Sequence, residues 1–136
     1  MKTFTHDFKI QLDDLDYMGI VGNANWQILL ERARIKLLED LGYSFLKMIE
    51  NKIGGVVTEI SIKYLSQGKF NNKISIEMHI TEIHEKGAMI NYKVYDFDNK
   101  NKLYVVAFTK ILFVNELGRP IFIPDDLKII LNNLSE

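Results

Sequence analysis

The chain has 136 residues, the length of one domain, with 47% hydrophobic and 26% charged residues, a balance that excludes a disordered polymer. Seventeen basic against eighteen acidic residues give a formal net charge of −1, without the basic excess of a nucleic-acid-binding surface. There is no cysteine, so neither a disulfide nor a thiolate metal site is open to it.

Taken in chain order, the polar start Met1–Asp7 lacks the apolar core of a signal peptide. No apolar run approaches the ~20 residues that cross a bilayer, so a cytoplasmic protein without a membrane partner is expected. Phe8, Ile10 and Leu12 alternate with polar residues, as in a half-buried strand. Asp13-Asp14-Leu15-Asp16-Tyr17-Met18-Gly19 breaks that pattern. The period then turns helical: Trp26, Leu29, Leu30, Ala33, Leu37, Leu38 and Leu41 share one face, and Ile28 and Ile35 widen it. A long helix over Ala24–Leu41 is expected, ended by Gly42 as its C′ residue. Its broad apolar face asks to be wrapped.

A short helix is expected over Tyr43–Asn51, with Phe45, Leu46 and Ile49 inward and Gly54-Gly55 stopping it. Val56–Leu65 reads as a strand. Ile74, Ile76, Met78 and Ile80 alternate with Ser75, Glu77 and His79, which is the clearest strand signal in the chain. Polar turns at 85–87 and 98–101 separate two more strands, Ala88–Phe97 and Leu103–Val114. The second of these is apolar at consecutive positions and suits a central strand covered on both faces. Asp125 and Asp126 open a final helix with Leu127, Ile130, Leu131 and Leu134 inward. No repeat or shift in composition divides the chain, so residues 1–136 read as a single domain. Strand, long helix, then about four antiparallel strands make an α+β protein.

Several chemistries lack their residues. There is no phosphate-cradling Gly-x-x-x-x-Gly-Lys-Ser/Thr, no dinucleotide fingerprint and no Gly-x-Ser-x-Gly elbow. His6, His79 and His84 are scattered and have no acids at metal-ligand spacing, so no metal site is expected. Glu31 reads as an ion-pair partner of Arg32, Arg34 or Lys36. The aromatic set Tyr92, Tyr95, Phe97, Tyr104, Phe108 and Phe113 reads as strand packing.

One dense cluster remains, Asp13, Asp14 and Asp16 before the long helix. The plain reading is helix capping, because acids are favourable at the positive end of a helix. The functional reading is a carboxylate beside exposed helix amides. Those N–H groups would polarise a bound carbonyl, and the carboxylate would attack it or activate a water.

Asp14-Leu15-Asp16-Tyr17-Met18-Gly19-Ile20-Val21, with Asn25-Trp26 and Glu31-Arg32-Ala33-Arg34 further on, resembles the hotdog-fold thioesterases, and within them the 4-hydroxybenzoyl-CoA thioesterase-like branch. The resemblance implies a long central helix wrapped by a curved antiparallel sheet of about five strands. It implies Asp16 as the catalytic carboxylate, an oxyanion site of backbone N–H groups around Gly22, Asn23 and Ala24, and Tyr64 lining the substrate channel. Gly19 fits the bend leading to that site. Trp26 stands where relatives carry tyrosine, and its bulk would reshape an acyl pocket. A homodimer or homotetramer with the site at the subunit interface is implied, and so is an acyl-CoA substrate, with no cofactor beyond the coenzyme A that substrate carries. The chain departs from the pattern at Gly22-Asn23, where many relatives have Tyr or His, and at Gln67-Gly68 and Asn71-Asn72. Two functions therefore stand. One is an acyl-CoA thioesterase, with Asp16 as nucleophile or general base. The other is a non-catalytic module on the same scaffold that binds acyl-CoA or acyl-carrier protein.

Overall fold

The computed structural model describes residues 2–135. Strand β1 (Phe4–Lys9) leads through a single 3-10 turn (Leu12–Asp14) to the long helix α1 (Asn23–Asp40). A short helix α2 (Phe45–Glu50) follows, and then four strands: β2 (Ile53–Tyr64), β3 (Lys73–Thr81), β4 (Gly87–Asp96) and β5 (Leu103–Asn115). Helix α3 (Asp125–Ser135) closes the chain. The strands form one antiparallel sheet in the order β1-β3-β4-β5-β2, the α+β arrangement expected.

Alternation drives the sheet onto the helix. Ile74, Ile76, Met78 and Ile80 of β3 are all buried, and Trp26, Leu29, Leu30, Ala33 and Leu37 of α1 meet that face. Tyr92, Val94, Tyr104 and Val105 complete the layer. Leu127, Leu131 and Leu134 of α3 are buried in the same core, and α3 packs on β3. No helix among the described residues is long and apolar enough to cross a membrane.

Several expectations need correction. The first strand stops at Lys9. Ile10 is buried, but Leu12 lies in the 3-10 turn and is 69% exposed. In α2 the inward residue is Met48, while Phe45, Leu46 and Ile49 are exposed. Six residues present only one inward line, and Met48, with Tyr43 just before the Ser44 cap, occupies it. Gly54 and Gly55 do not stop that helix. They belong to β2, opposite Val114 and Phe113, and β2 ends at Tyr64 rather than Leu65. Strand β5 lies inside the sheet, but β4 is its middle member, and β5 is flanked by β4 and the edge strand β2.

Edge strand β2 is the least covered element of the sheet. Val56, Val57 and Ile60 are exposed there, beside a bulge between Val57 and Glu59. Three apolar residues in a row of unpaired backbone groups make an edge open to a second strand.

Candidate active site

The site starts at the loop between the 3-10 turn and α1. Leu15 and Val21 pair as an isolated bridge, the Asp16 amide donates to the Ile20 carbonyl at 2.7 Å, and the Gly19 amide donates to the Asp16 carbonyl at 3.0 Å. Gly19 takes φ +76° to close this turn, a conformation that a residue with a Cβ adopts at a cost. The loop is tied down from the other side as well. The Val21 amide donates to Gly68, and Ile20 bridges to Lys69. Gly68 is buried so tightly that a Cβ there would lie 2.8 Å from Ile10 and 2.9 Å from both Trp26 and Val21, so a side chain has no room.

The two acids of Asp14-x-Asp16 then part company. Asp14 is buried, and its Oδ2 accepts from the Gln11 amide at 2.8 Å. Its other oxygen lies 3.9 Å from the Arg32 guanidinium, and its backbone carbonyl accepts from the Asn25 side-chain amide at 2.8 Å. Asp14 therefore locks the loop to the first turns of α1. Asp16 is exposed, with only Oδ1 engaged, by the Met18 amide at 2.7 Å. Its side chain lies against the helix start: a Cβ placed on Gly22 would sit 3.5 Å from Asp16 Cβ and 3.9 Å from Oδ2.

Helix α1 begins at that point without a side-chain cap and without an acid in its first turn. Gly22 is its N-cap, in extended conformation, and the first intrahelical bond runs from the Trp26 amide to the Gly22 carbonyl at 3.0 Å. The amides ahead of it are those that a helix leaves without intrahelical partners. Tyr64, at the end of β2, reaches the same place, where its hydroxyl donates to the Asn23 carbonyl at 3.4 Å. Asp16, Gly22, Asn23 and Tyr64 thus come together, with Ala24 in the same first turn. Trp26 goes elsewhere. It is 2% exposed, and its ring lies 6.0 Å from that of Tyr104. It is a core residue.

An apolar cavity of about 130 Å³ lies at the opposite end of α1, bounded by Leu38, Met48, Ala88, Ile90 and Ile111 and by the polar pair Glu31 and Arg34. Arg34 Nη2 is 4.0 Å from Glu31 Oε1, the ion pair expected of Glu31. Behind Arg34 the Tyr92 hydroxyl and Thr109 Oγ1 are 2.8 Å apart and buried. Burial pushes the Tyr92 phenol up from its ordinary value, against the smaller opposing pull of Arg34 and Thr109. Sequence reasoning missed this cavity and the buried role of Asp14. The three-residue spacing of Gln11 to Asp14, that of a capping box, was the available signal for the second.

Comparison with known proteins now bears on this geometry. The family model of the thioesterase-like superfamily matches residues 10–131. The chain belongs to the thioesterase-like superfamily. Thioester hydrolysis is the activity that membership carries. The chain is 25% identical over 134 residues to the acyl-CoA thioesterase YbgC of Haemophilus influenzae, covering 96% of both chains. Its fold is that of the hotdog thioesterases. It superposes with a TM-score of 0.91 on a DHNA-CoA thioesterase from Staphylococcus aureus, at 17% identity over 99% of this chain and 92% of that one. The protein SAV2348 of the same species, solved in complex with CoA, gives 0.89 at 15% identity, covering 98% and 84%.

Proposed function

We propose that this member of the thioesterase-like superfamily is an acyl-CoA thioesterase with Asp16 as its catalytic carboxylate. The observation that carries the reading is the position of Asp16. A carboxylate with one oxygen unbonded lies against the uncapped start of α1, where the helix presents about half a positive charge. The acyl-CoA substrate is suggested by the YbgC relative and by the CoA complex of SAV2348.

In this mechanism the thioester carbonyl oxygen accepts from backbone N–H groups at Gly22, Asn23 or Ala24. As Asp16 or a water it activates adds to the carbonyl carbon, the oxygen becomes an anion held by those donors. Collapse expels the thiolate of coenzyme A. With Asp16 as nucleophile the acyl group passes to its carboxylate as a mixed anhydride, which water then opens. With Asp16 as base, water gives up a proton to it and the free acid forms at once. Asn23 supplies an amide side chain where a histidine would otherwise assist, and Tyr64 fixes the Asn23 carbonyl and lines the approach.

The assembly belongs to the same proposal. The apolar edge of β2 is suited to pair with its own copy, giving a homodimer with a continuous sheet, itself able to pair into a homotetramer. The same proposal puts the protein in the cytoplasm.

The test is a panel of short, medium, long and aromatic acyl-CoA esters read by free thiol. Hydrolysis of at least one ester, lost in an Asp16→Asn variant that keeps its oligomeric state, is the expected result. Saturable binding with no thiol released would instead make the chain an acyl-CoA or acyl-carrier-protein binding module. Single turnover in labelled water separates the two routes, since only the anhydride leaves label in Asp16.

A further inference from the structure

Asp16 makes no side-chain bond to the helix beside which it stands. Its Oδ1 accepts from the Met18 amide inside its own turn, and its backbone amide donates to Ile20. The side chain that ties the start of this loop to α1 is that of Asn25, the third residue of the helix. Asn25 is half-buried, and its Nδ2 donates to the Asp14 carbonyl at 2.8 Å. About two turns further along the same helical face, Arg32 approaches the carboxylate of the same residue at 3.9 Å. One helix thus holds Asp14 by its backbone and by its side chain. Asp16 follows two residues later.

Asn25 has a second use for its side chain and does not take it. An N-cap side chain ordinarily accepts from the second or third helical amide. A polar side chain at the third helical position can fold back to the N-cap amide. Here the N-cap is Gly22, which has no side chain, and the Asn25 amide group is spent on Asp14. Neither side chain of a capping box therefore fills the donors at the helix start. The groups involved share one corner: a Cβ on Gly22 would lie 3.5 Å from Asp16 Cβ, 3.9 Å from Asp16 Oδ2 and 3.9 Å from Asn25 Nδ2.

On the reading of the protein as a thioesterase with Asp16 as its carboxylate, we propose that Asn25 is a positioning residue for the reaction. Through the Asp14 carbonyl it sets the separation between the Asp16 carboxylate and the backbone donors of Asn23 and Ala24. It bonds to the loop alone, so it neither moves a proton nor touches the thioester. Its effect comes from geometry. The carbonyl carbon must meet the carboxylate or its water while the carbonyl oxygen meets the donors. An error of about 1 Å in that separation costs about 10²-fold in rate. The rest of the substrate binds without reference to this distance, so affinity is left alone.

Kinetics in two backgrounds test the role. Asn25→Ala removes the bond to Asp14, and Asn25→Asp sets a second acceptor against the carbonyl oxygen. Two separate variants keep the test available if one fails to fold. With the wild type's best acyl-CoA ester, each is expected to lower kcat about 10²-fold while KM stays within about twofold. Asn25→Ala is then built into the Asp16→Asn chain. A residue that acts through Asp16 has nothing left to position there, so the residual rate of Asp16→Asn falls no further. A merely structural loss would multiply, and a second drop as large as that in the wild type overturns the proposal. So does a kcat near that of the wild type in the folded variants, or a raised KM at unchanged kcat. A wild type that releases no thiol from any ester overturns the thioesterase reading, and the positioning role with it.

Discussion

Helix α1 has two unlike ends. Its start is polar and open: Asp16 is exposed, Gly22 caps without a side chain, and Tyr64 arrives from the sheet edge. Its later turns are apolar and enclosed, with Leu37 buried and Leu38 and Ile35 beside a cavity. The first end supplies charge and unpaired amides but no enclosure, and the second supplies room, with its carboxylate and guanidinium paired to each other as Glu31 and Arg34. A hydrolase for acyl thioesters needs both, because the carbonyl must meet donors while the hydrocarbon leaves water. In this chain the two lie apart along α1, from the Gly22 cap to the lining residues Glu31 and Leu38.

The comparison is broken most forcefully at its polar end. Asp16→Asn keeps the shape and the Met18 contact of the side chain but removes its basicity. Turnover of the best acyl-CoA ester is expected to fall by about 10²–10⁴-fold, the range of a lost general base, with the melting temperature held. A variant near wild-type turnover would reduce Asp16 to a turn residue. Next in size is Trp26→Ala. Because Trp26 is packed in the core against Tyr104 and Gly68, the loss is expected in stability, about 3–5 kcal/mol in denaturant unfolding. If Trp26 instead lined the substrate, the change would show in acyl preference at unchanged stability.

Much of this was legible in the residues. The period-two run of β3 and the inward face of α1 follow from spacing alone, because each is long enough for its periodicity to exceed chance. The acid cluster marked the loop that leads into α1. What spacing alone could not tell was which acid is buried: Asp14 and Asp16 differ by two positions, and in the folded loop Asp14 goes in while Asp16 stays out. Trp26 was equally ambiguous, since a core aromatic and a pocket aromatic sit on the same inward helical face. Gly54 and Gly55 read as a stop because glycine punctuates local structure, yet here they pair with β5 across the chain. The cavity was invisible because its walls come from helices and strands distant in sequence, and no local pattern encodes a gap between them.

The division of labour between the two acids gives a smaller effect. Asp14→Ala leaves the Gln11 amide without its 2.8 Å partner and frees the loop from Arg32 and the 3-10 turn. A loss of about 1–3 kcal/mol is expected in thermal or urea unfolding. An equal loss from Asp16→Ala would erase the distinction, since Asp16 is exposed and holds only a local turn.

The smallest effect lies beneath the polar end, where Tyr104 supports Trp26. Burial pushes the Tyr104 phenol up to about 12, with the Asp96 carboxylate at 3.2 Å adding to the rise. An unfolded tyrosine titrates near ~10. Below that pH both states hold the proton, so the full contribution of the neutral phenol is present. Between about 10 and 12 the unfolded chain releases its proton while the folded one keeps it, and stability declines as pH rises. Tyr104→Phe removes that term. Its unfolding midpoint, followed from pH 9 to 11.5, is expected to fall less steeply than that of the wild type, while Tyr92, also raised by burial, keeps a residual slope in both. Parallel curves would mean that Tyr104 titrates alike in the two states, and that the floor under the helix start is wetter than its packing against Trp26 implies.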